Sequence, residues 1–262
     1  SYLRNKLELK RKRVLLRYKY YEMKNYENDM QISSPDFLKN WMPVLGWCAK
    51  SVDSLADRLI FKEFRTDVFE LNDIYNMNNP DVLFDSAILG ALIGSCSFIY
   101  IVGTEGYPKM QVIDGSDATG VIEPETGFLK EGYAILERDK NHQPIVEAYF
   151  TPGMTRIIEK KPRGERATDY PNSAAYPLLV PIIFRPDAKR PFGHSRISRA
   201  CMELTGSAVR TLKRSEISAE YYSFPQKYVT GLSDEAELLD KWRASMSSLL
   251  MFTKDEDGDK PT

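Results

Sequence analysis

The chain has 262 residues, with 36 Lys and Arg against 37 Asp and Glu, a formal net charge of −1 and a pI near 6.2. Its 42% hydrophobic and 11% aromatic content can fill a core, which excludes a wholly disordered protein, and the charge balance excludes a uniformly basic, histone-like one. Three cysteines, at 48, 96 and 201, are too few and too scattered for a disulfide framework or a thiolate metal site, so reduced, intracellular folding is expected.

At ~150 residues per domain, this length predicts one large domain or two smaller ones. The longest apolar run in the first 30 residues is Val14-Leu15-Leu16, far short of a signal-peptide core. The longest apolar stretch anywhere, Ala87 to Val102, is 16 residues interrupted by Gly90, Gly94, Ser95, Ser97 and Tyr100. A membrane span needs ~20 mostly apolar residues. The stretch reads instead as a buried helix running into a buried strand, and a soluble protein is expected.

Residues 1–24 carry nine basic residues against two acidic ones, a net of +7. Leu3, Leu7, Val14 and Tyr18 recur at helical steps, so part of this zone is expected to be helical. Its charge reads equally as a solvated helix face or as a polyanion- or partner-binding arm. Residues 35–65 are predicted as one long helix, capped by Ser34 with Pro35 in its first turn. Val44, Trp47, Cys48, Ser51, Leu55 and Leu59 mark its apolar stripe. A second helix is expected from Asn79-Pro80-Asp81 to about Gly94, followed by a strand over 95–102.

From about 107 to 184, six short β-prone runs are separated by turn residues such as Asp114-Gly115, Thr126-Gly127 and Pro152-Gly153. Their spacing predicts an antiparallel meander, and the lack of βαβ alternation speaks against a doubly wound nucleotide-binding sheet. The helix period returns over 193–222. Ile197, Cys201, Leu204, Ala208, Leu212, Ser215, Ala219 and Tyr222 form one narrow track, suited to packing on other helices. A neighbouring track holds Arg196, Arg199, Glu203, Arg210, Lys213 or Arg214, and Glu220. After Pro225, strands are predicted near 228–230 and 249–252, with a helix opened by Ser233-Asp234-Glu235 between them. An acidic, turn-rich stretch from Asp255 to Asp259 follows, and the chain reads as a fragment.

No constellation argues for an enzyme. With two histidines, His142 and His194, a multi-histidine metal site within one chain is excluded. Gly193-His194-Ser195 lacks the trailing glycine and preceding strand of a nucleophile elbow, so Ser195 reads as the cap of the long helix. Asp114-Gly115-Ser116-Asp117 reads as a turn, Gly90 and Gly94 as close-packing positions, and Glu123 with Glu125 as a hairpin tip. A basic arm, a long helix with a charged track and an acidic appendage fit an interaction or assembly protein.

Taken as a series, these segments resemble the portal (head–tail connector) proteins of tailed double-stranded DNA bacteriophages and prophages. Tyr18-Lys19-Tyr20-Tyr21-Glu22 resembles the tyrosine pair that closes the family's first helix, although Met23 and Lys24 stand where glycine often follows. Residues 49–59, from Ala49-Lys50-Ser51-Val52 to Leu59, resemble its second helix, and Ala87 to Val102 its helix-to-strand core. The most specific stretch is Phe192-Gly193-His194-Ser195-Arg196-Ile197, a helix to Tyr222, then Phe224-Pro225-Gln226 closing at Gly231. It resembles the portal stem and its passage into the clip.

The resemblance implies an α+β fold. Residues 1–192 would be a wing domain of helices and antiparallel β, 193–223 one long stem helix, and 224–262 a small α/β clip region. The crown and channel-loop helix of the family are missing. It implies no catalysis and no cofactor. The chain would be one subunit of a ring, usually of twelve, at a capsid vertex of the virion, assembled in the bacterial cytoplasm. Double-stranded DNA would be packaged and ejected through the ring without sequence specificity. Terminase, a head–tail adaptor and the capsid or scaffolding protein would be partners, and no membrane would be involved. Arg196, Arg199, Arg210, Lys213 and Arg214 would face the channel or pair with acids on the next stem. Gln226, Lys227, Asp234, Glu235, Glu237, Trp242 and Arg243 would dock terminase and adaptor. Two other readings compete: a monomeric nucleic-acid-binding protein using the basic arm and long helix, and a hydrolase centred on His194 and Ser195.

Overall fold

The computed structural model describes residues 2–25, 41–65, 69–103, 106–161, 164–223, 227–232 and 249–253. The fold is α+β, built from helices and largely antiparallel sheets. It divides into two compact units, residues 1–25 with 45–205, and residues 26–44 with 206–262.

In the first unit, α1 (Tyr2–Tyr21) buries Leu3, Leu7 and Val14, three of the four positions its periodicity marks. The fourth, Tyr18, is half-buried and donates its hydroxyl to Asp114 Oδ2 at 2.5 Å, and burial beside that carboxylate raises the phenol pKa. The expected helix over 35–65 is not one helix. Residues 34–40 lie outside the described segments, residues 41–46 are not helical, and α2 is only Trp47–Ala56. Pro43 disfavours helical backbone at Met42, and Gly46 occupies the N-cap, so the apolar period bridged two breakers. Cys48 and Val52 are buried, whereas Val44, Trp47 and Leu59 of the predicted stripe are exposed.

A short helix that the pattern did not signal, α3 (Leu71–Asn76), leads into α4 (Pro80–Gly94), which starts at Pro80 as expected. Gly90 and Gly94 are close-packing positions: a β-carbon would stand 3.3 Å from Ser97 Cβ at the first and 3.3 Å from Val14 Cγ1 at the second. α4 runs directly into β1 (Cys96–Val102), buried over its first five residues.

The β region forms two sheets rather than one meander. β2 (Lys109–Ile113) and β8 (Leu179–Ile183) flank β1 antiparallel. β3 (Ala118–Ile122), β4 (Leu129–Arg138), β5 (Pro144–Thr151), β6 (Met154–Lys161) and β7 (Gly164–Pro171) make a sequential antiparallel sheet. Between them lies one core, with Phe98, Tyr100, Ile113 and Leu179 from the first sheet and Leu129, Ala148 and Phe150 from the second. The expected turns hold: Ser116 N donates to Asp114 Oδ1 at 2.7 Å, and Thr126 Oγ1 to Glu123 Oε2 at 2.8 Å. β7 went unseen because nearly all its residues are exposed, so no apolar alternation marks it. Its backbone ladder and a bidentate Arg156–Asp169 pair at 2.6 and 2.8 Å tie it to β6.

The basic face of α1 does something neither sequence reading anticipated. β3 is an edge strand, and its outward carbonyls recur every second residue. Lys10 Nζ donates to Ala118 O at 2.8 Å and Lys6 Nζ to Gly120 O at 2.7 Å. Arg11 reaches Ser116 O at 3.4 Å and pairs with Asp117, which also holds Arg138 at 2.6 Å. Lysines one helical turn apart thus meet carbonyls two strand residues apart. The same ammonium groups lie over aromatic rings, Lys10 4.8 Å from the centre of Phe98 and Lys6 5.4 Å from that of Phe192. Burial, then the neighbouring Lys10 charge, lowers the pKa of Lys6. Further along the sheet, Arg4 of α1 and Lys160 of β6 both hold Glu147 of β5, which is 1% exposed.

α5 (Arg199–Ser223) begins in the first unit, and from Gly206 on it belongs to the second, where it is followed by β9 (Lys227–Leu232) and β10 (Leu249–Thr253), a parallel pair joined through residues 233–248. Both strands stand where the sequence places them. The helix expected after Ser233 lies outside the described residues.

Candidate functional site

The candidate site is the long helix and the segment that leads into it. The helix period predicted a start at 193, but α5 begins at Arg199. Residues 192–198 instead close off the end of α4. The last carbonyls of any helix lack intrahelical partners. Here Leu92 O accepts Arg196 N at 2.8 Å, and Ile93 O accepts Ser195 Oγ at 2.6 Å. The Ser195 oxygen in turn accepts Ile197 N at 3.0 Å. Ser195 is therefore a cap, as expected, but of the α4 C-terminus and not of the long helix. The N-cap role at α5 belongs to Ser198, whose Oγ accepts Cys201 N at 3.1 Å.

Gly193 sits at φ +74°, and His194 N donates to Phe184 O at 2.9 Å. The side chain of His194 turns away from Ser195: its Nε2 meets Asp187 Oδ2 at 2.5 Å and its Nδ1 meets Arg190 at 3.3 Å. Bonding to His194 and to the backbone amides of Arg190 and Lys189 lowers the Asp187 pKa. Among the described residues, His194 and Ser195 make no hydrogen bond to each other, and no group of three His, Cys, Asp or Glu is arranged to hold a metal. No described helix is long and apolar enough to cross a membrane.

Ile197 is fully buried with Leu92, Ile93, Cys48 and Val52, and half-buried Tyr18, Tyr20 and Tyr21 pack against this cluster. The tyrosines of the α1 C-terminus thus touch the lead-in to α5. Tyr21 also donates to Asp53 Oδ1 at 2.9 Å, and burial with that carboxylate pushes its pKa up to about 12. Arg17 Nε reaches Ile197 O at 3.4 Å, and burial together with Arg13 and Arg190 lowers its pKa.

Along α5 the two predicted tracks separate. Among its described side chains Thr205, Val209 and Lys213, one helical turn apart, are buried, and Gly206 beside the first is buried as well. Of the predicted apolar track, Cys201 and Ala208 are half-buried, but Leu204 is 63% exposed, Leu212 42% and Tyr222 87%. Ser215 and Ala219 are exposed as well.

The five predicted cations do not share one environment. Arg196 is exposed and donates to Ser51 O at 3.1 Å, and Arg199 and Arg214 are exposed. Arg210 is half-buried and reaches Ser207 Oγ at 3.1 Å. Lys213 is 3% exposed, with Nζ 3.9 Å from Met42 Sδ. The sequence leaves Lys213 and Arg214 as alternatives on one track; they project about 100° apart on the helix, and only Lys213 is covered. Of the predicted docking residues, Lys227 opens β9, whereas Gln226, Asp234, Glu235, Glu237, Trp242 and Arg243 lie outside the described residues. No family model and no curated protein matches the chain.

Proposed function

We propose that the chain is a subunit of a tailed-phage portal: a ring-forming, non-catalytic protein through which duplex DNA passes. On this reading residues 1–192 are the wing, 193–223 the stem and 224–262 the clip, as the sequence resemblance implies. One observation carries the proposal furthest. α5 has 25 residues, about 37 Å at 1.5 Å per residue, and among its described side chains those turned onto its own chain are Cys201 and Met202 at its start, then Thr205, Val209 and Lys213. Its Leu204–Leu212–Tyr222 track stays uncovered. An uncovered apolar helix face in a soluble chain calls for a partner. A face beside, rather than opposite, the buried one suits a head-to-tail interface, the kind that closes into rings.

The charges fit the same role. Lys213 is buried, which leaves Arg199 and Arg214 as the exposed cations of the helix for the channel wall or for acids on the next stem. Each phosphate neutralised steepens salt-dependent grip on DNA, and a ring multiplies every residue by its copy number. Few exposed cations per subunit suit a channel through which DNA must slide. The basic arm supports the rival nucleic-acid reading less than its net charge suggests, since Arg4, Lys6, Lys10 and Arg11 are spent on the sheet.

The double variant Leu204→Glu/Leu212→Glu tests the interface. Both residues are exposed, so Tm should move by less than about 2 °C, while rings of the parent protein should disappear. Intact rings in the variant would remove this face from the interface.

A further inference from the structure

Of the three cysteines, two meet. Cys48, fully buried in the first turn of α2, and Cys201, half-buried in the first turn of α5, bring their Sγ atoms to 3.2 Å. Thr205 completes the cluster, with its Oγ1 3.5 Å from Cys48 Sγ and donating to Cys201 O at 2.8 Å. Cys96 lies apart, in the core between the two sheets. A disulfide bond is about 2.05 Å long, so roughly 1 Å of further approach joins the pair.

We propose that Cys48 and Cys201 form a thiol–disulfide site, a latch that a small-molecule disulfide of the glutathione class closes between α2 and the first turn of α5. The chemistry balances in two exchanges. The Cys201 thiolate, the more accessible of the two, attacks one sulfur of oxidised glutathione, forming a mixed disulfide and expelling one glutathione thiolate. Cys48 then attacks the Cys201 sulfur, and the second glutathione leaves carrying the Cys48 proton. Two protein thiols become one cystine, and one oxidised glutathione becomes two reduced molecules. Burial pushes the Cys48 thiol up to about 11, which makes its thiolate scarce and leaves the first attack to Cys201.

The bond would join residues 153 positions apart. Long closed loops gain most from a cross-link, because the unfolded chain loses most freedom. It would also lock the first turn of α5 to the helix beneath it. On the portal reading, on which this consequence alone rests, the latch stays open during assembly in a reducing cytoplasm and closes in the released particle.

The test treats the folded full chain with oxidised glutathione, then alkylates it under denaturing conditions and maps the peptides. One alkylated cysteine, Cys96, and a cross-linked Cys48–Cys201 peptide are expected, with Tm raised by about 5–10 °C and restored by dithiothreitol. Cys201→Ser should abolish the cross-link, and Cys48→Ser should leave glutathione on Cys201. Three alkylated cysteines, a stable glutathione adduct in the parent protein, or disulfides only between chains would overturn the proposal. These readouts are independent of ring formation, so a failed latch and a failed portal reading give different results.

Discussion

Glu147→Ala should destabilise the chain by about 3 kcal/mol and lower Tm by about 6–12 °C. Glu147 is 1% exposed and takes Arg4 on one oxygen and Lys160 on the other. Removing it strands two cations at the contact between α1 and the five-stranded sheet. Breaking a buried pair costs about 3–5 kcal/mol, and the lower end applies because both cations can still reach water. Replacing all three together (Glu147→Leu, Arg4→Met, Lys160→Met) should cost less than Glu147→Ala alone, since no charge is then left without its partner.

The same residue sets a pH signature. Burial would raise its pKa, but hydrogen bonds and charge from Lys160 and Arg4 outweigh burial and hold it below the ordinary 4.5. A depressed carboxyl stabilises fully above its unfolded pKa, and that stability is lost as pH falls through the folded value. Stability of the parent should therefore drop below about pH 4.5, and Glu147→Gln should flatten that acid limb. Parallel acid limbs in the two proteins, measured by denaturant unfolding, would contradict the assignment.

Gly193→Ala should cost about 3 kcal/mol, whereas Gly127→Ala should cost only about 1. The two glycines share nearly one torsion, φ +74° and +73°. They differ in space: a β-carbon at Gly193 would stand 2.1 Å from Phe184 O, but one at Gly127 meets nothing within 4 Å. Phe184 O cannot retreat cheaply, because it accepts His194 N at 2.9 Å. The difference between the variants, read from urea midpoints, isolates the close contact from the backbone strain. Equal losses would mean that the lead-in to α5 is looser than this packing.

Much of this architecture was legible because apolar period and punctuation agreed. Leu3, Leu7 and Val14 placed α1, Asn79-Pro80 placed the start of α4, and the turn at Asp114-Gly115 separated two real strands. Where they disagreed, punctuation won: Pro43 and Gly46 interrupt the predicted helix, and α2 begins only at Trp47. β7 stayed hidden because an exposed edge strand carries no apolar alternation. At the candidate site the order of segments was legible and the partners were not. Sequence spacing cannot show that Ser195 turns back to Ile93, that Lys213 is covered while Arg214 is not, or that Lys6 and Lys10 cap strand carbonyls. Each depends on a contact between residues far apart in the chain.

The most direct measurement is the mass and shape of the particle formed by the full reading frame that contains this chain, by light scattering and negative-stain microscopy. The portal account predicts closed rings of about a dozen subunits with a central hole that admits a ~20 Å duplex. A strict monomer over a wide concentration range would contradict it and return weight to a nucleic-acid-binding protein acting alone.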